Sequence, residues 1–505
     1  MRSAARVGRS RVALGVAFVL CVLGAALAAE KPPEATPPLP ERVETRHTVT
    51  LAGQPLDYRA VVETIGLTTR KGEPAAAIDT VAYLAAAPAG RQRPVAFVFN
   101  GGPGAASVFL HLGALGPRIL ETPASGAVPA PPPRLVDNPS SWLRFTDLVF
   151  VDPVGTGFSQ GKGKGDNPDK PFWNVRADID SLGAVIRRWL SRHERWGAPV
   201  YLVGESYGGL RVAALAHRLA SEVGVSVSGL VLVSPALDVE LLHPDIADML
   251  APAFELPSYA AAAAAFAGAP APPQAAEAAE RFALSDYLVG LAALPGIPAA
   301  GDPFIARVAR LIGLPEEVVR RERGRVPNQV FTRELRRSQQ EILSLYDATV
   351  TRTTGADPAD DHAGDAVLDP AVSAYAAAFG SYAPEALGYH TEAAYRVLSR
   401  EVSQQWDWEG AAGGEHGLGL ALASLQDTLR LRPQTKVLIV NGRYDLVTPY
   451  LGSRWLVDQL ALPAALRAQI RLRVYEGGHM MYMRPQSRAA LASDAAEIFA
   501  SPPSP

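Results

Sequence analysis

Val200-Tyr-Leu-Val-Gly204-Glu205-Ser206-Tyr207-Gly208-Gly209 decides the fold of this chain. A continuous apolar run of this kind fits a strand buried on both faces. It ends in G-x-S-x-G, and a helical stretch, Leu210–Ser221, follows. Strand, sharp turn with a serine at its tip, then helix is the context of a nucleophile elbow. The turn forces a strained backbone on Ser206. Gly204 and Gly208 leave room for strand and helix to approach, and the N-terminus of a helix starting near Leu210 favours negative charge beside the serine.

Outward from the elbow the same pattern repeats. Val95–Phe99, Leu148–Val151, Leu230–Val233 and Val437–Val440 are apolar runs rich in Val, and Leu472–Tyr475 is similar but broken by Arg473. Helical stretches such as Arg176–Arg195 lie between them. Alternation of this kind predicts an α/β fold with a doubly wound, mostly parallel sheet. Before it, Thr48–Leu51, Tyr58–Glu63 and Ile78–Leu84 are shorter runs broken by turn residues, which fits antiparallel N-terminal strands. Between Pro244 and Thr428 the alternation stops and the composition is Ala-rich and helical. The sheet needs both flanks, so residues 244–428 are expected to be a helical cap or lid set into one domain formed by 43–243 and 429–505. The alternative is an independent second domain.

Composition bounds the rest. In 505 residues, 48% are hydrophobic and 20% charged, the values of a globular chain, with a formal net charge of −3. No basic field exists to drive nucleic-acid binding. The single cysteine, Cys21, excludes intramolecular disulfides, Cys-rich zinc sites and iron–sulfur clusters. Cys21 sits in an apolar run, Val12 to Leu27, preceded by Arg2, Arg6, Arg9 and Arg11 and closed by Ala26-Leu27-Ala28. This pattern predicts a secretory signal peptide over residues 1–28 and an exported protein, periplasmic or extracellular. An uncleaved anchor is the alternative; no later segment looks transmembrane. Residues 29–42 hold a Pro-rich linker (Lys31 to Pro40).

A serine at neutral pH needs a base, and the base an orienting carboxylate. In this arrangement the chain order is Ser, Asp or Glu, then His, with each partner in a turn after a strand. Val437-Leu-Ile-Val-Asn441-Gly442-Arg443-Tyr444-Asp445 supplies the acid, and Arg471-Leu-Arg-Val-Tyr475-Glu-Gly477-Gly478-His479 the base. Of nine histidines only His479 has that setting. Ser206, Asp445 and His479 are therefore the expected triad. The oxyanion donors are expected from the Tyr207 amide and from the Gly101-Gly102 turn of Ala96-Phe-Val-Phe-Asn100-Gly101-Gly102-Pro103-Gly104.

Asn100-Gly-Gly-Pro-Gly104, Asn138-Pro-x-Ser-Trp142, Asp152-Pro-Val-Gly-Thr-Gly-Phe-Ser159, Gly204-Glu-Ser-Tyr-Gly208 and Gly477-Gly-His479 stand in an order that resembles the serine carboxypeptidase family of α/β-hydrolases. The resemblance runs from about Phe97 to Met483 and is weakest in the cap. It implies Ser206, Asp445 and His479 as triad, Gly102 and Tyr207 as oxyanion donors, and Asn100 with Glu205 as the binder of a peptide's free C-terminal carboxylate. A protonated Glu205 beside Asn100 could hydrogen-bond such a group, since two charged carboxylates repel unless they share a proton. Three positions depart from the family's pattern. Ala114 stands where a glutamate of the carboxylate-binding network is usual, Val98 where a tryptophan is usual, and Ala105 where many relatives have a cysteine. With Ala114, the acid optimum is expected to be less pronounced than in relatives.

Other signals carry less. Val149 to Gln160 fails as a dinucleotide fingerprint because Gln160 takes the third glycine's place, and Gly163 follows Gly161-Lys162 where a phosphate loop needs Ser or Thr. Asp357 to Asp365 lacks the spacing of a calcium loop. Trp406 and Trp408 read as packing anchors. The expected function is thus an exported serine-type carboxypeptidase acting on peptides with a free C-terminus, needing no cofactor or metal. An esterase or acyltransferase with the same triad, or a catalytically dead binding protein, are the alternatives.

Overall fold

The structure, a computed structural model, describes residues 39–87, 92–239, 248–268, 271–294, 296, 298–354, 364–408 and 420–500. The expected signal peptide, most of the Pro-rich stretch and most of the acidic Asp357–Asp365 stretch lie outside these residues. Ten strands build one sheet: β1 (Arg42–Leu51), β2 (Gln54–Thr68), β3 (Pro74–Ala85), β4 (Val95–Phe99), β5 (Asp147–Val151), β6 (Gln160–Gly161), β7 (Val200–Glu205), β8 (Val227–Val233), β9 (Lys436–Gly442) and β10 (Ile470–Tyr475). The order is β1-β2-β3-β5-β4-β7-β8-β9-β10, with β6 pairing β3. From β5 to β10 every neighbour is parallel, while β1, β2 and β3 form an antiparallel meander that joins β5 antiparallel.

The apolar runs explain the layering. Side chains alternate across a strand, so Ala96, Val98, Tyr201, Val203, Val231, Val233, Leu438 and Val440 face one core. Val95, Phe97, Phe99, Val200, Leu202, Leu230, Leu232, Val437 and Ile439 face the other. Helices α1 (Val175–Arg192), α2 (Tyr207–Arg218) and α5 (Leu420–Leu431) cover the second face. Helices α4 (Leu368–Glu385) and α6 (Pro485–Ala500) cover the first, where Phe499 stacks on Tyr201 with centroids 3.8 Å apart. This is an α/β-hydrolase arrangement. Arg473 breaks the last run because β10 is an edge strand: Arg471 and Arg473 pair with Asp494 and Glu497 of α6.

Between β8 and β9 lies a helical segment with a core of its own. Helix α3 (Leu250–Ala267), Pro272–Phe282 and Pro303–Ile312 pack Phe254, Tyr259, Phe282, Val308 and Ile312 together with Tyr444, Leu446, Tyr450 and Leu451 of the stretch after β9. The later helices α4 and α5 belong instead to the two sheet cores. No helix among the described residues is long and apolar enough to cross a membrane.

Candidate active site

The elbow forms as the turn chemistry requires. Ser206 has φ 60° and ψ −125°, a left-handed conformation for a residue with a Cβ, held by Ser206 N–H to the Val233 carbonyl (2.9 Å) and Ala236 N–H to the Ser206 carbonyl (3.0 Å). The helix begins directly after the serine, at Tyr207 rather than near Leu210. The glycines of the first turn allow it: a Cβ on Gly204 would lie 1.9 Å from the Gly208 carbonyl oxygen. The Tyr207 N–H opens the helix and so has no intrahelical acceptor.

Two buried groups behind the elbow were not legible in the motif. Asp178 of α1 accepts from Arg211 Nε (2.8 Å) and from the Tyr207 hydroxyl (3.1 Å). Arg211 also donates to the Asn100 carbonyl. One buried ion pair thereby ties α1, the elbow helix and the N-G-G loop. Trp406 and Trp408 set their edges against the Tyr207 ring, at 5.3 and 5.6 Å between centroids, as packing anchors do.

Asp445 and His479 meet at the same end of the sheet. The Asp445 carboxylate is fully buried and accepts from Val447 N–H (2.8 Å), Thr448 N–H (2.9 Å), the Thr448 hydroxyl (2.8 Å) and His479 Nδ1 (2.8 Å). Burial pushes the imidazole's pKa down, but the Asp445 carboxylate, with Glu205 further off, outweighs it and holds His479 above its usual value. A histidine so oriented presents Nε2 for proton transfer. Thr448 and Ser234 complete the frame: the Thr448 hydroxyl lies 3.0 Å from the Ser234 carbonyl, and Ser234 Oγ donates to the His479 carbonyl (2.9 Å). Neither residue has a sequence signature. Among the described residues no hydrogen bond joins Ser206 Oγ to His479; such bonds are often long before substrate arrives.

The N-G-G loop closes over the elbow. A Cβ on Gly101 would come within 2.6 Å of both the Glu205 carbonyl oxygen and the Tyr207 nitrogen, and Gly102 takes φ +101°. The Gly101-Gly102 turn thus lies against Tyr207, as expected of two segments that offer backbone amides to an oxyanion. Asn100 Nδ2 donates to Glu205 Oε2 at 2.5 Å, and Asn100 Oδ1 accepts from Leu110 N–H (3.0 Å). The Tyr482 hydroxyl reaches both Glu205 oxygens, at 2.8 and 3.1 Å. Burial raises the Glu205 pKa to about 7, against the lowering pull of His479, Tyr482 and Asn100. A carboxyl poised there changes charge near neutrality.

Residues 83–241 match the model of the serine carboxypeptidase family. Over that stretch the chain is similar to the serine carboxypeptidase family. It is 28% identical over 159 residues to serine carboxypeptidase-like 9 of Arabidopsis thaliana, which covers 30% of this chain and 34% of that protein. It is 34% identical over 133 residues to a probable serine carboxypeptidase of Arthroderma benhamiae, covering 24% and 22%. The alignments span about a third or less of these relatives' own length. In fold, the chain is similar to Kex1Δp, a prohormone-processing carboxypeptidase of Saccharomyces cerevisiae, with a TM-score of 0.53 over 87% of this chain and 91% of that one at 15% identity.

The motifs outside the candidate triad have structural tasks. Asp152, in the turn before Gly155-Thr-Gly157, accepts from Ser107 N–H (2.7 Å) and the Tyr395 hydroxyl (2.8 Å), holding the end of the N-G-G loop. Asn138 Nδ2 donates to the carbonyls of Ala114 (2.8 Å) and Gly116 (2.9 Å), closing the short helical turn His111–Leu115. Ala114 itself is buried. Of the acidic stretch, Asp365 accepts from Ser344, Leu345, Val367 and Leu368. Among the described residues no group of three or more His, Cys, Asp or Glu could hold a metal.

Proposed function

We propose that this protein is an exported serine-type carboxypeptidase that removes C-terminal residues from peptides. The observation that carries the reading is the hydrogen bond from Asn100 to Glu205, the residue directly before Ser206. An enzyme that cleaves only the last bond must hold the free carboxylate within a residue's length of its nucleophile. In this reading Ser206 Oγ attacks the scissile carbonyl as His479 Nε2 takes its proton. Asp445 keeps the imidazole's Nδ1–H in place and stabilises the imidazolium. The Gly102 and Tyr207 amides hold the oxyanion, with the N-terminus of α2 adding a favourable dipole. The C–N bond breaks as His479 returns the proton to the leaving amine. Water, deprotonated by His479, then releases the acyl group from Ser206. The helical segment between β8 and β9 serves as the cap over this end of the sheet.

An esterase or acyltransferase with the same triad is the second reading, favoured by Ala114, which leaves Glu205 without a second acid. One N-blocked peptide, as free acid and as C-terminal amide, separates the two at pH 5 and 7.5. Trimming of the free acid alone, lost in Ser206→Ala, is the expected result. Equal cleavage of both forms, or of neither while a fluorophosphonate still labels Ser206, would overturn the carboxypeptidase assignment. Export is tested by N-terminal sequencing of the protein recovered outside the cytoplasm, with Ala29 expected first.

A further inference from the structure

Glu205 receives two side-chain hydrogen bonds, one from Asn100 and one from Tyr482, whose hydroxyl spans both carboxyl oxygens. The seat for that tyrosine is made by small residues. The turn His111–Leu115 packs against the turn Met481–Met483, and a Cβ on Gly113 would come 2.9 Å from the Tyr482 ring and 2.3 Å from the Tyr375 hydroxyl. Ala114, next along, offers no acid to share a proton with Glu205. The groups that face Glu205 are Asn100 from the loop after β4, His479 and Tyr482 from the C-terminal turns, and Asp445 from the turn after β9. Tyr375 of α4 and Tyr346 complete the surround. Of these, Tyr482 touches both oxygens, whereas the Tyr375 hydroxyl is buried without a partner.

We propose that Tyr482 is the positioning residue of the Asn100–Glu205 pair: its hydroxyl orients the Glu205 carboxyl and sets how readily that carboxyl takes up a proton. The proposal rests on reading the pair as the clamp for a substrate carboxylate. With Glu205 ionised, Tyr482 and Asn100 both donate to it, and an arriving carboxylate is repelled. When Glu205 takes a proton on Oε2, that O–H donates to the substrate carboxylate while Tyr482 donates to Oε1. Tyr482 therefore serves both states, but it favours the ionised one, because a hydrogen bond to a charged acceptor is the stronger.

The test follows the Glu205 carboxyl itself. Protein carrying ¹³C-labelled glutamate is titrated by NMR, with Glu205→Gln assigning the resonance. In Tyr482→Phe the ionisation midpoint is expected to rise by about one pH unit, a tenfold gain in proton affinity, as loss of a hydrogen bond to a charged group implies. Tyr375→Phe, which removes a neighbouring hydroxyl not bonded to Glu205, is expected to leave the midpoint in place. The KM of a free-acid peptide should climb with pH through the same midpoint and move with it. An unmoved midpoint in Tyr482→Phe, or equal shifts in both variants, would overturn the proposal, as would a KM change of the same factor at every pH. A midpoint that moves as expected while free acid and amide peptides bind alike would leave Tyr482's role standing and sink the clamp reading instead.

Discussion

On the proposed reading of Ser206, His479 and Asp445 as a triad, replacing Asp445 by asparagine isolates the orienting carboxylate. Two backbone amides, Val447 and Thr448, occupy Oδ1, so the new side-chain amide must direct its oxygen there and its nitrogen toward the Oδ2 side. That nitrogen then faces His479 Nδ1 at the position of the present 2.8 Å bond. Thr448 can yield, because its hydroxyl also lies 3.0 Å from the Ser234 carbonyl and can turn its proton there. His479 cannot: facing a donor, Nδ1 becomes the acceptor and the proton moves to Nε2, the atom that has to receive one from Ser206. The carboxylate that held the imidazole's pKa up is also gone, and burial then pulls it below its usual value. Fold and packing are left intact, so the loss falls on kcat. A wrong tautomer of this kind costs about 10⁴-fold, or ~5 kcal/mol of barrier. Release of the C-terminal residue from an N-blocked peptide measures kcat, and thermal unfolding checks the fold. A well-folded Asp445→Asn protein that keeps more than about a tenth of wild-type kcat would refute the tautomer argument.

Four further outcomes follow from the geometry. Gly204→Ala places a methyl 1.9 Å from the Gly208 carbonyl oxygen, so a destabilisation of about 3 kcal/mol is expected in denaturant unfolding; a cost below 1 kcal/mol would mean that the turn is looser than described. Glu205→Gln cannot ionise, so the rise of KM for a free-acid peptide between pH 5 and 8 should flatten, and a profile as steep as wild type would place the ionisation elsewhere. Burial lifts Asp152 to about 6 and Asp79 to about 7, so the fold favours their protonated forms. Their contribution to stability is full below the ordinary carboxylate range and is lost as pH rises through about 6 to 7. Asp152→Asn should therefore make the fall of unfolding free energy between pH 4 and 7 shallower, by an amount on the order of 3 kcal/mol, and an unchanged slope would clear Asp152 of that role. Trp406→Ala removes the buried edge against Tyr207 and should cost about 3 kcal/mol, read by the same unfolding assay.

The parallel strands were legible because they are apolar on both faces: Val95–Phe99 reads off the sequence with its ends in place, and Val200 and Val437 fall within a residue of the observed starts of β7 and β9. The N-terminal meander runs longer than its apolar stretches suggest. In β1 exposed and half-buried residues alternate, so polar side chains such as Glu44 and Arg46 extend a strand that hydrophobicity alone would cut short. The candidate triad and the N-G-G loop were legible from glycines and strand context. Thr448, Ser234 and Tyr482 were not, because a hydroxyl that meets its partner across the fold leaves no spacing pattern behind. Asp178 and Arg211 escaped for a related reason: on a helix surface the same charges would read as solvated. The later helices were read only as Ala-rich composition, which does not say that α4 and α5 cover opposite faces of the sheet.

The β8–β9 pairing joins Val233 to Val440 across a long stretch of intervening chain. On the ribosome, β7 and Ser206 emerge long before β9, β10 and His479 exist. Contacts so distant in sequence are slow to form, because loop closure comes before their reward. The nascent chain therefore carries a serine with no base for more than half of its synthesis. If the chain is exported as proposed, the same order separates manufacture from activity: a hydrolase whose serine and base stand so far apart in sequence cannot act until its final strand has docked, wherever in the cell that happens.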